Sequence, residues 1–205
     1  MGSIISFFVK GGTVMYPILL ALIFGIVVII ERVIFILFKN RIDSALFVNK
    51  IAELIKSGNI NKAIEYCNIS DAALPNITKA GLQELHSSPA NVQNALELAA
   101  MVEIPKLEKR INYLAMIANV ATLLGLLGTI FGLISSFAAV AHAEAAEKAT
   151  LLTAGISIAM NTTAFGLVVA IPCLIGYTYL TEKTNEIIDE INENVARLYR
   201  IMTSR

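Results

Sequence analysis

The sequence predicts an all-α integral membrane protein with three transmembrane helices and long cytoplasmic helical extensions. Three observations carry this expectation. Residues 13–38, 113–141 and 149–181 form apolar blocks, each longer than the roughly 20 residues that cross about 30 Å of hydrocarbon as a helix. Mean hydropathy is +0.70, with 56% hydrophobic and 16% charged residues, too apolar and too block-like for a soluble domain. The charged stretches between and after the blocks carry apolar residues at helical spacing. Lys and Arg (16) balance Asp and Glu (16), so bulk attraction to nucleic acid is not supported and no nucleic-acid partner is expected.

In chain order, residues 1–12 (MGSIISFFVKGG) are a short amphipathic, interfacial start ending in a Gly-Gly break. Phe7 and Phe8 suit the interface and Lys10 faces water. With one Lys and no small-residue cleavage site, this start does not read as a signal peptide. The first span covers 13–38. Glu31 and Arg32 mark its membrane boundary, where Arg32 can snorkel. An ion site at Glu31 is the competing reading.

Residues 39–112 are polar and helical in pattern. Asp43 or Ser44 can cap a helix running to Lys56, with Leu46, Ile51, Leu54 and Ile55 as its apolar face. Ser57-Gly58 ends it, and Asn59 can cap the next, with Ala63, Ile64 and Cys67 inward. A further short helix is expected around Leu74–Leu85. Ser88-Pro89 is a strong helix start, Ser as N-cap and Pro at the first helical position. The pattern then continues into the second span; unbroken to Val140, that helix would be about 75–80 Å long, with a kink at Pro105.

The second and third spans, 113–141 and 149–181, contain no Asp, Glu, Lys, Arg or His. In the second, Thr122, Gly125, Thr129, Gly132 and Ser136 fall at steps of three and four and share a stripe. In the third, Gly155, Ala159, Thr162, Thr163, Gly166 and Ala170 make a similar face. Two readings compete. Small residues let helices approach, and hydroxyls bond across membrane interfaces for roughly 0.6–2 kcal/mol each; alternatively the stripe borders a polar path or receives another protein's helix. Thr129, Thr162, Thr163, Asn161 and Ser136 are the candidates for such a path; for Asn161 a bond to a neighbouring helix is the competing reading. Gly125, Gly128, Gly132, Gly155, Ala159, Gly166 and Pro172 are the candidates for helix packing or contact with a partner helix.

Residues 142–148 form a tight polar loop. His142, Glu144 and Glu147 could be imagined as metal ligands, but a solvated loop is the simpler reading, and no metal site or cofactor is expected. Residues 182–205 place Ile187, Ile191, Val195, Leu198 and Met202 at helical spacing. That amphipathic helix packs on the 39–112 bundle or a neighbouring copy, or lies on the membrane surface. Cys67 and Cys173 lie in unlike regions and suggest no disulfide. Of the Lys and Arg residues, nine lie in 39–112 and four in the tail, against Lys10 and Lys148 outside. This places the insert and C-terminus in the cytoplasm, and the N-terminus and 142–148 in the periplasm.

These residues resemble the MotA/TolQ/ExbB family of bacterial inner-membrane motor channels. Gly11-GTVMYPIL-Leu20 resembles the family's opening of the first span, and Glu31-Arg32-Val33 its exit. Leu123-LGLLGTIFGL-Ile134 and Gly155-ISIAMNTTAFGLVVAI-Pro172 match its second- and third-span signatures. Three spans resemble the TolQ and ExbB branch more than the four-span MotA branch. The resemblance implies a homopentamer whose second and third spans line a central pore. Two copies of a single-span partner like ExbD, TolR or MotB would occupy that pore, bringing the titrating Asp. Flow of H⁺ or Na⁺ would drive rotation and work on the envelope, through a TonB- or TolA-like periplasm-spanning protein in some branches. It also implies that Thr129 and Thr163 are the pore threonines and Pro172 the third-span proline. The chain departs from the family pattern at Thr13 and Thr122, where Pro is usual, and at Ile158, where many ExbB-like members carry Glu.

The chemistry points the same way. A carboxylate at the bilayer centre costs at least about 2.5–3.5 kcal/mol unless sheltered. The later spans supply none but offer hydroxyls that could shelter one, so a partner must bring the charge. The alternative function is a non-conducting oligomeric scaffold that binds a partner through its cytoplasmic helices. No nucleophile–base motif, phosphate loop or metal-ligand spacing points to an enzyme.

Overall fold

The structure is a computed structural model that describes residues 11–39 and 42–204, with only the backbone for Phe38 and Lys39. The expected amphipathic segment with Phe7, Phe8 and Lys10 lies outside the described residues. Among the described residues seven α-helices follow in order: α1 (Met15–Val33), closed by a π-helical turn at Ile34–Lys39; α2 (Ser44–Lys56); α3 (Ile60–Cys67); α4 (Ala73–Gln83); α5 (Pro89–Glu108); α6 (Ile111–Ala141); and α7 (Lys148–Thr203). Three helical stretches, Met15–Leu37, Pro89–Ala141 and Lys148–Thr203, contain segments long and apolar enough to cross a membrane. The third span and the charged tail are one helix, with Pro172 inside it.

The chain divides into two compact units. One combines the residues up to Ile30 with Arg110–Thr178; the other combines Glu31–Lys109 with Tyr179 onward. In the first, α1, α6 and the early part of α7 meet around Ile18, Ile117, Ala118, Ala121, Val169 and Cys173. Large apolar side chains such as Leu20, Leu123, Ile134 and Ile175 point outward. That outward apolar surface suits hydrocarbon as the surrounding medium.

The second unit follows soluble-protein rules. Asp43 Oδ1 accepts from the Leu46 N–H at 2.9 Å and caps α2. Gly58 ends α2 in the left-handed region, φ +74°. There the Asn59 N–H reaches Leu54 O at 3.0 Å and the Gly58 N–H reaches Ile55 O at 3.1 Å, the Schellman pattern that favours glycine. Ser88 Oγ accepts from the Asn91 N–H at 3.3 Å with Pro89 first in α5. Asn59 stands at the start of α3 but makes no side-chain cap; its amide donates to Ser57 Oγ at 3.2 Å.

Phe47, Val48, Ile51, Ile55, Ala63 and Cys67 build the core of this unit with Leu74, Ile77, Leu82 and Leu96. Ile191, Leu198 and Met202 of the tail enter the same core, so the tail packs on the 39–112 bundle. Leu46, expected inward, is 66% exposed; as the third residue of α2 it is turned outward, and Phe47 and Val48 take the inner face instead. Cys67 is a free thiol, and burial pushes its pKa from about 9 up to about 12. We therefore expect native Cys67, in a Cys173→Ala background, to resist iodoacetamide at pH 9 and to react once unfolded. The folded value lies above the unfolded one, so this thiol's contribution to stability is complete below the free-thiol value and declines as pH climbs toward 12.

The helix expected to run from Pro89 through the second span is interrupted at Lys109–Arg110. Lys109 turns extended (φ −52°, ψ 133°) and Arg110 is left-handed (φ 68°), a costly state for a side chain with a Cβ. Pro105 removes one helical N–H just before the break. Arg32, only 3% exposed, donates from Nη1 to Lys109 O at 2.8 Å and Lys106 O at 3.3 Å. It thereby meets carbonyls that a continuing helix would have bonded. Tyr113 N–H instead bonds Arg110 O at 3.1 Å.

Candidate functional site: the hydroxyl-dotted faces of α6 and α7

Glycine places the backbones of α6 and α7 in contact. A Cβ on Gly166 would lie 2.7 Å from Ala121 O and 3.1 Å from Gly125 Cα; one on Gly125 would lie 3.2 Å from Thr163 Cα. Farther along, a Cβ on Gly132 would meet Ala159 at 3.0 Å, and Gly128 and Gly155 receive the side chains of Thr162 and Ser136. Gly125, Gly128, Gly132, Gly155, Ala159 and Gly166 therefore form one intramolecular seam.

The hydroxyls divide between that seam and its flank. Thr162 is fully buried and donates to Ile158 O and Ala159 O, each at 2.9 Å. Ser136, also buried, donates across the seam to Leu151 O and Leu152 O, each at 3.3 Å. Both groups have their partners within this chain. Thr163 is half-buried and donates across to Gly125 O at 3.1 Å. Thr129 is half-buried and bonds its own helix at Leu126 O, 2.6 Å; Thr122 is exposed and bonds Ala118 O, 2.9 Å.

Which groups share a side follows from about 100° of rotation per helical residue. On α7 the residues Gly155, Ala159, Thr162 and Gly166 face α6. Relative to that direction, Ile158 turns one way, and Thr163 and Asn161 turn by about 80° and 120° in opposite senses. Helix α1 packs on the Ile158 side: a Cβ on Gly12 would meet Ile158 at 3.7 Å, and one on Gly176 would meet Ile29 at 3.3 Å. On α6, Ile117 faces α1, with a Cβ on Gly25 3.6 Å from it, and Thr122 and Thr129 lie on the other side of the seam. The structure thus brings Thr122, Thr129 and Thr163 to the side of the α6–α7 pair away from α1. It does not bring Asn161 there. Pro172 is exposed within α7. His142 Nδ1 lies 3.3 Å from Ala138 O.

Glu31 and Arg32 are placed elsewhere, in the second unit. The Arg32 guanidinium contacts both carboxylate oxygens of Glu31 and stacks on Phe35, 4.6 Å from its ring centre. Asn119, not among the residues singled out from the sequence, is exposed one turn before Thr122 on the same side of α6. Its signal was available, since an amide within an otherwise apolar span is expensive unless bonded.

The sequence profile of the MotA/TolQ/ExbB proton channel family matches residues 69–193, more than half of the chain. The chain belongs to the MotA/TolQ/ExbB proton channel family. The match includes α6 and the membrane part of α7, and hence Thr129 and Thr163. An ExbB homolog of Methanothermobacter thermautotrophicus is 27% identical over 191 residues, covering 93% of this chain and 67% of that protein. The biopolymer transport protein ExbB-like 3 of a Synechocystis species is 34% identical over 170 residues, 80% of this chain and 79% of that one. The Tol-Pal system protein TolQ of Haemophilus influenzae is 38% identical over 93 residues, 45% of this chain and 40% of that one. The family is one of proton channels.

Proposed function

We propose that this chain is the channel subunit of an ion-driven motor in the bacterial inner membrane. Five copies surround two copies of a single-span, ExbD-, TolR- or MotB-like partner whose acidic helix lies against the Thr129 and Thr163 side. The observation that supports this reading is the grouping of Thr122, Thr129 and Thr163 on the one side of the α6–α7 pair that α1 leaves open. Both spans lack charged residues, so the partner brings the titrating group and this chain shelters it. Lys and Arg asymmetry puts the N-terminus in the periplasm and the helical insert and C-terminus in the cytoplasm. The work of ion flow, H⁺ or Na⁺, passes to a periplasm-spanning protein of TonB or TolA type. Thr162 and Ser136 serve this assembly as seam packing.

Thr129→Ala with Thr163→Ala is expected to lower gradient-driven ion flux in liposomes containing the partner by about ten-fold or more, from two lost hydroxyl contacts. Oligomer assembly should be unchanged. Ser136→Ala, which removes only a seam contact, should leave flux near wild type and lower stability by about 0.5–1.5 kcal/mol. Full flux in the double variant would overturn the assignment of this face. No gradient-coupled flux under any condition, with or without partner, would favour the scaffold.

A further inference from the structure

Asn161 is a polar group of α7 that the hydroxyl side does not account for. It stands 13 residues after Lys148, about 20 Å along the helix and so within the hydrocarbon. It is half-buried, and its carboxamide has no hydrogen-bond partner among the described residues. The hydroxyls of Ser136, Thr122, Thr129, Thr162 and Thr163 all have one. A carboxamide carries two N–H donors and an acceptor, and lipid tails satisfy none of them.

Its direction narrows what can satisfy it. Thr163, two residues on, points about 200° away around the helix. Asn161 lies at the outer edge of the strip where Gly12 of the α1 entry meets Ile158. Ser157, one turn earlier on the same flank, is exposed and also without a partner among the described residues. A helix seated against Thr129 and Thr163 cannot reach this flank. Subunits closed in a ring around such a helix lie flank to flank, and the outer faces of α6 (Leu123, Ile130, Ile134) and α7 (Met160, Val168, Ile171) are exposed and uncharged. A head-to-tail contact repeated around the ring puts every Asn161 in the same setting.

We propose that Asn161 hydrogen-bonds to a neighbouring copy of this chain in the lateral subunit contact. This rests on the guest helix occupying the Thr129 and Thr163 side. The test places the photo-crosslinking amino acid p-benzoylphenylalanine at position 161 in membranes holding the full chain alone. An adduct at twice the 22.2 kDa chain mass is expected. Attachment only to lipid or within the same chain overturns the proposal; so does, in membranes that also hold a single-span protein with one Asp in its span, an adduct from 161 to that protein.

The same probe at position 163, with that single-span protein present, separates the two readings. Its adduct to the single-span protein upholds the guest position. Loss of that adduct, with the copy-to-copy adduct at 161 retained, removes the guest reading and leaves the subunit contact standing. Independently, Asn161→Leu should weaken association between copies by about three- to thirty-fold, the loss of one intramembrane hydrogen bond. Asn161→Gln should recover most of it. Unchanged association of the leucine variant would also overturn the proposal.

Discussion

Gly166→Ala is expected to part α6 from α7 and lower the stability of the membrane-spanning unit by about 1–3 kcal/mol, the usual range for overpacking, although it adds a single methyl group. The new Cβ would lie 2.7 Å from Ala121 O and 3.1 Å from Gly125 Cα. Both are backbone atoms, and neither can rotate aside as a side chain would. Gly176→Ala makes the informative contrast. Its Cβ would meet two Ile29 side-chain carbons at 3.3 Å, and a rotamer adjustment relieves that crowding. Alanine also favours the helix over glycine by about 1 kcal/mol, so Gly176→Ala should be neutral or slightly stabilising. Unfolding by SDS titration of the purified protein in mixed micelles measures both. Equal midpoints for the two variants would mean that backbone contact at Gly125 and Gly166 is not what holds these helices together.

How much of this was legible beforehand depends on the range of the interaction. Ser88-Pro89, Asp43 and Ser57-Gly58 act on their own next turn, and each stands where its residue type predicts. The seam was legible in part: spacing put Gly125, Gly132 and Ser136 on one stripe and Gly155, Ala159, Thr162 and Gly166 on another. Spacing also put Thr129 on the Gly125 stripe, although it stands beside the seam. A stripe is about as wide as one helix contact, and only the position of α1 separates its packed centre from its open edge. Asn161 and Thr163 stand two residues apart in sequence and nearly opposite around the helix. The break after α5 was not legible, because Pro105 weakens a helix without fixing where it ends. The groups that meet the freed carbonyls lie far away in sequence, at Arg32.

Arg32→Ala is expected to destabilise the helical unit that contains it by about 2–5 kcal/mol, from two carbonyls left without a donor at about 1–3 kcal/mol each and a lost guanidinium–ring contact. An arginine that merely marked the membrane edge would snorkel to water, and its removal would change stability by little. This one is buried, paired with Glu31 and aimed at the C-terminal carbonyls of α5, where a cation also complements the helix dipole. Arg32→Lys should recover only part of the loss, because a single ammonium cannot span two carbonyls and a carboxylate in one plane. Amide exchange is the discriminating measurement: the end of α5 and its cap, residues 106–109, should lose protection in Arg32→Ala while α3 keeps its own. Wild-type exchange in that turn, together with an unfolding free energy within about 0.5 kcal/mol of wild type, the range of ordinary surface changes, would return Arg32 to the role of boundary marker.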